Sequence, residues 1–209
     1  MILFMGVMAA PTPCSAQLTS KQEKALQKER DKMYKKLVKE YKQEGWKLAD
    51  NDRTIEVAVL EHLAATSDKD RTAVIVGEVS KCKSANVGRQ SALVNAQNSY
   101  AQMVGGEVKG RVSSMVGGDA ENLDSEVDKF IAAFEKRVSV NVKGALQPSY
   151  SLVRDHGSYK EFKTFFILNY EKAGLACQRA LEQSLNEVKL SNEVAKEISD
   201  FINEGITVE

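Results

Sequence analysis

The sequence predicts an α+β fold: a small, mostly antiparallel three-stranded sheet packed by long helices, preceded by a charged amphipathic helix. Three observations predict it. Val74-Ile75-Val76 is a continuous β-branched run bounded by polar residues. A helical period of small and apolar residues holds from Ala92 to Met115 and again from Val127 to Val138, and from Leu146 the period changes to two. At 209 residues and 43% hydrophobic content the chain suffices for one well-buried core. The expected organisation is a signal segment over residues 1–16, a basic helix over 17–47, a single α+β core over 48–190, and a C-terminal helix and tail over 191–209.

Residues 1–10 are apolar and uncharged, Pro11 and Pro13 break the run, and Cys14-Ser15-Ala16 before Gln17 offers the small residues that signal peptidase needs. This pattern predicts export with cleavage after Ala16, although the basic start of such signals is missing. Lipid attachment at Cys14 is the weaker alternative, since Pro-Thr-Pro before it is not a lipobox context. No other apolar run approaches the ~18 residues that a membrane span needs.

Each element has a local reason. Over residues 20–44, Leu26, Met33, Leu37 and Tyr41 recur at three-to-four spacing, and Gly45 supplies the stop, after which Trp46 can fold back on the last turn. Thr54 can cap a short helix with Ile55, Ala58, Val59 and Leu63 on one face. Val74-Ile75-Val76 then reads as a strand buried on both faces and ending near Ser80. A helix from Ser84 or Asn86 carries Ala92, Leu93, Ala96, Tyr100, Met103 and Val104, and its phase survives Gly105 and Gly106 to about Val116. Gly117-Gly118-Asp119 turns into a second helix through Phe130, Ile131 and Phe134. In the strand that follows, Leu146, Tyr150 and Leu152 alternate with Gln147, Ser149 and Ser151. A turn at Asp155-His156-Gly157-Ser158 leads to a strand whose Phe165, Phe166, Ile167 and Leu168 are apolar on both faces, which places it centrally. Ala173, Ala176, Cys177, Ala180 and Leu181 open the next helix, and Val194, Ile198, Phe201 and Ile202 extend or follow it.

Twenty-nine basic residues balance 29 acidic ones, so overall charge gives no sign of a nucleic-acid partner. The distribution is uneven: residues 21–47 hold ten Lys/Arg against five Asp/Glu. Lys28, Lys32, Lys35, Lys36, Lys39 and Lys42 form a ridge that can meet an anionic surface, such as lipid headgroups or a cell-wall polymer; the plainer reading is a solvated helix face.

Val74-Ile75-Val76-Gly77-Glu78 leading into Ser91-Ala92-Leu93-Val94-Asn95-Ala96, the hairpin over 146–170 and the helix from Ala173 together resemble a bacterial envelope family. That family includes the twenty-kilodalton outer-membrane lipoprotein and the N-terminal domain of flagellar assembly protein T. The resemblance spans residues 72–185, and Gly45-Trp46 is similar to its secreted members. It implies an exported α+β domain with no known active site and no bound cofactor. The context of Cys14 departs from the lipoprotein members.

Candidate chemistry is sparse, and the chain is expected to be non-enzymatic. His62 and His156 lack donors at ligand spacing, and no HExxH, CxxC or nucleophile-elbow pattern occurs. His156 reads as a turn residue, and a hydrolase built on it and Asp155 would lack a nucleophile. An oxidising compartment permits a Cys82–Cys177 disulfide if the Cα atoms come within ~4.4–6.8 Å, while Cys177 also suits a core position. Gly106 and Gly110 stand at GxxxG spacing around charged residues, which suggests close helix packing. Asp124, Glu126 and Asp128 lie on a helix without the glycine turn of a calcium loop, hence a solvated face. An envelope protein or surface polymer is the expected class of partner, and the long helices can pack within one chain or between two copies.

Overall fold

The computed structural model describes residues 20–50, 52–116 and 121–204. The expected signal with Cys14, and the Gly117-Gly118-Asp119 turn, lie outside them. Helix α1 (Ser20–Gln43) ends in a Schellman motif: Gly45, at φ +79°, donates its N–H to Lys42 O (3.2 Å), and Trp46 donates to Tyr41 O (2.9 Å). Strand β1 (Lys47–Leu48) follows directly. Helix α2 (Ile55–Ala65) is capped by Thr54, whose side chain accepts from Val57 N. Then come β2 (Thr72–Cys82), α3 (Ala85–Val116), α4 (Glu121–Asn141) and a 3-10 turn (Val142–Ala145). Strands β3 (Leu146–Asp155) and β4 (Lys160–Asn169), then α5 (Tyr170–Glu187) and α6 (Asn192–Glu204), complete the order.

The sheet has four antiparallel strands in the order β1-β3-β4-β2, not three. The fourth is β1, whose Lys47 and Leu48 pair with Val153 and Leu152. Two residues are too few to carry a period, so only the pairing partner reveals this strand. Strand β4 is central, as its two apolar faces indicate. Strand β2 is an edge, not a strand buried on both faces, and its Val74 is 42% exposed.

The register of β3 departs from simple alternation. Leu146 opposes Leu168 and Pro148 opposes Phe166, but Tyr150 then opposes Phe165 and Ser151 opposes Thr164. The irregularity between Pro148 and Tyr150 inserts one residue and exchanges the faces. Leu146 therefore enters the main core with Phe166 and Leu168, whereas Tyr150 and Leu152 join a second cluster on the opposite face. Ser151 is drawn inward and shares a buried hydrogen bond with Thr164 (2.9 Å).

The main core lies between the sheet and α3, α4, α5 and α6. Tyr100, Val104, Val108 and Val112 of α3 meet Phe130, Phe134 and Val138 of α4. Helix α6 contributes Val194 and Ile198, so the core continues beyond residue 190. Met103 of α3 is exposed despite its place in the apolar period. Gly106 and Gly110 make no close packing either, because a Cβ at either would meet nothing within 4 Å. The close approach is at Gly105, where a Cβ would come 2.3 Å from Glu135 Oε1.

The Cys82–Cys177 bond that an oxidising compartment would permit is absent, and both thiols are free and buried, Cys177 in the core position it also suited. Cys82 donates to Lys160 O (3.3 Å) and sits beside Gly88, while Cys177 contacts the Tyr100 hydroxyl (3.7 Å). Tyr100 lies about 18 Å further along α3 than Gly88 at 1.5 Å per residue, far beyond the reach of a disulfide.

Candidate functional site

The second cluster determines how α1 is presented. Tyr34, Leu37, Val38 and Tyr41 of α1 pack with Trp46, Ile55, Ala58 and Val59 over Tyr150, Leu152 and Phe165 of the sheet. The Tyr41 and Tyr150 hydroxyls are 3.4 Å apart, and the Tyr150 and Phe165 rings stack with centroids at 4.4 Å. Beside them Arg154 and Lys163 lie over the Trp46 ring, at 4.7 and 5.4 Å from its centroid. Val38 takes the most buried place on α1, whereas Met33, expected on the packed face, is 57% exposed.

With that face held down, the flank beside it is set to solvent. Lys28, Lys32, Lys35, Lys39 and Lys42 are spaced alternately by four and three residues, so they form one stripe along the helix. All are exposed. Lys32 pairs with Glu29 (2.7 Å) and Lys42 with Glu56. Lys36 stands off the stripe and approaches Glu40 (3.8 Å). Lys28, Lys35 and Lys39 have no acidic partner among the described residues. Lys35, Lys39 and Lys42 also line a shallow 530 Å³ groove between α1 and α2, with Tyr34 and Val38 as its apolar part and Glu56 at its rim. Sequence reading found the lysines but not this groove. Tyr34 and Val38, an i, i+4 pair flanking the stripe, were the available signal.

The remaining expectations separate clearly. His156 Nε2 lies 3.3 Å from Glu161, and its ring stacks on Tyr159 at 4.7 Å. Asp155 instead pairs with Lys160 and accepts from Gly157 N (2.8 Å), which closes the hairpin. Arg154, and then His156, hold the Glu161 carboxyl below its usual pKa. Glu126 accepts from Ser191 N (2.9 Å) and Asp128 pairs with Lys109 (2.6 Å); both serve helix packing. Among the described residues no group of three or more His, Cys, Asp and Glu side chains is placed to hold a metal. No helix among them is long and apolar enough to cross a membrane.

His62, on α2, is 5% exposed and stands edge-on to Tyr150 and Phe165 at 5.3 and 5.8 Å. Its Nδ1 is buried without a hydrogen-bond partner. Desolvation lowers its pKa from the usual 6.5. Above 6.5 the ring is neutral in both folded and unfolded chains. As the pH falls from 6.5 through the folded value, the unfolded chain takes up the proton more readily and stability is lost. His62→Phe, which keeps an aromatic ring but cannot titrate, is expected to lose less stability than the parent between pH 7 and 5. Urea midpoints at both pH values check this, and equal losses would refute it.

No family model and no curated protein matches the chain. Among solved structures, a hypothetical protein from Francisella tularensis is similar over 76% of this chain, at 12% identity and a TM-score of 0.35. The chain spans 57% of that protein's length. A likeness of this degree says nothing about function.

Proposed function

We propose that this chain is a non-catalytic, exported interaction module of the bacterial envelope, which engages a polyanionic surface through the lysine stripe of α1. The observation that carries the reading is the exposure of Lys28, Lys35 and Lys39 on one helix face without acidic partners, two of them beside a groove with an apolar floor. A merely solvated face is more commonly laced with i, i+4 pairs of opposite charge, as at Lys36 and Glu40. The export pattern over residues 1–16 and the envelope-family resemblance support the location.

Each lysine near an anionic membrane contributes about 1 kcal/mol, and the attraction is screened within a Debye length. Lys28, Lys35 and Lys39 changed together to Gln are therefore expected to weaken binding to phosphatidylglycerol-containing vesicles on the order of 100-fold at low salt. Raising the salt should weaken the parent in the same direction. Vesicle co-sedimentation at two ionic strengths checks both. Retention by the parent that is indifferent to salt, or a triple variant that binds as the parent does, would sink the reading.

A further inference from the structure

The free edge of β2 has an open stretch whose geometry fits itself. Tyr170 N donates to Arg71 O (3.0 Å), so this pair marks the hydrogen-bonded side of the β2–β4 ladder. Antiparallel alternation then turns the backbone groups of Ala73, Ile75 and Gly77 toward β4, and those of Thr72, Val74, Val76 and Glu78 outward. Two contacts agree with that phase: Thr72 N donates outward to Asp68 O (3.0 Å), and Glu78 O accepts from Asn95 Nδ2 (2.6 Å). Between these two closures, the N–H and C=O groups of Val74 and Val76 meet no partner among the described residues.

Edges of this kind are ordinarily blunted by charge, proline or a bulge. Thr72-Ala73-Val74-Ile75-Val76-Gly77 has no charge and no proline, and the irregularity in β2 falls later, between Val79 and Cys82. We infer that two copies of this chain join through the β2 edge, antiparallel, with Val74 of one opposite Val76 of the other. In that register the two-fold axis passes between the two Ile75 residues, and every open group on both edges gains a partner.

An extended peptide would also satisfy the edge, but α1 favours a second copy. The helix passes across the sheet from Tyr41, 6.2 Å from Phe165 of the central strand, to Arg30 and Met33, which share a 470 Å³ cleft with Thr72, Ala73 and Val74 of β2. Continued at 1.5 Å per residue, residues 20–29 carry α1 about 15 Å further, which is roughly three strand spacings beyond the edge. The described side chains from Lys24 to Lys32 are all exposed, and so are Met33 and Val74 in the cleft. A second sheet joined at β2 lies under this overhang and supplies a surface that no described residue of the same chain provides. The inference goes beyond the anionic-surface reading and does not depend on it.

Sedimentation velocity of the full chain between about 5 and 100 µM tests the pairing against the dissociation range of modest interfaces. A species of twice 23.1 kDa is expected. Val76→Pro and Val74→Lys should each raise the dimer dissociation constant at least about tenfold, with unchanged far-UV circular dichroism. Proline is tolerated in the monomer at this position because the N–H it removes serves no internal ladder. Ile75→Cys gives the register a covalent readout: directly opposed residues of a non-hydrogen-bonded pair have Cα atoms ~4.5 Å apart, within disulfide range. Made in a Cys14→Ser background, that variant should form a covalent dimer under mild oxidation, while the Cys14→Ser chain alone, whose Cys82 and Cys177 are both buried, does not. A parent that stays at 23.1 kDa leaves the edge to an extended segment of another protein and overturns the inference. So does a dimer that both edge variants leave intact, or an Ile75→Cys dimer that does not cross-link.

Discussion

Gly77→Ala is expected to destabilise the protein by an amount at or above the top of the ~1–3 kcal/mol that overpacking usually costs. A Cβ at Gly77 would stand 1.9 Å from Ala92 O and 2.6 Å from Ala92 C, both backbone atoms of α3. No side-chain rotation relieves such a clash, so the helix must lift from the strand. Ala92 and Ala96 are fully buried in this contact region, and one turn of α3 further on Asn95 reaches Glu78 O; the lift would therefore open packing and break a hydrogen bond together. Gly106→Ala on the same helix is the informative control. Nothing lies within 4 Å of its Cβ, and alanine in an exposed helical position gains roughly 0.5–1 kcal/mol over glycine. Urea denaturation of the two variants should thus show midpoint shifts of opposite sign. A Gly77→Ala variant within ±0.5 kcal/mol of the parent, the ordinary range for neutral surface changes, would show that β2 and α3 do not approach through this glycine.

Phe134→Ala is expected to cost about 3–5 kcal/mol, the range for truncating a fully buried aromatic ring. Phe134 is 0% exposed and lies parallel to Phe130, with ring centroids 6.4 Å apart. It belongs to the cluster that unites α3, α4, α5, α6 and the sheet, so the loss combines transfer of the ring with a cavity that several elements would have to collapse into. Since small domains hold only ~5–15 kcal/mol of net stability, the variant should sit close to unfolding at physiological temperature. Val140→Ala, six residues further along the same helix at a side chain 70% exposed, should change stability by less than ~0.5 kcal/mol. Chemical denaturation followed by circular dichroism compares the two. A loss below ~1 kcal/mol for Phe134→Ala would place α4 outside the cooperative core.

Taken residue by residue, what could be read in advance was what neighbours along the chain decide. The stop of α1 at Gly45-Trp46, the Thr54 cap, the single helix through Gly105 and Gly106, and the turn between β3 and β4 each follow from capping or periodicity within a few residues. The lysine stripe was legible for the same reason, because spacing alone puts its members on one face of a helix. Its groove was not, since α2 supplies the other wall.

By itself, then, the sequence determined the order and kind of the helices and of the three longer strands, and the buried helix faces apart from Met33 and Met103, all consequences of local hydrogen bonding and the periods of helix and strand. Only the tertiary structure decided which strand lies at the edge, where the Ser149 irregularity turns Tyr150 and Leu152 away from Leu146, that β1 adds a fourth strand, and that the two cysteines stand too far apart to bond. These outcomes depend on pairing and packing between residues distant in the chain. A two-residue strand, a one-residue shift of register and an unpaired edge have no periodic signature of their own, and acquire meaning only from the partner across the gap.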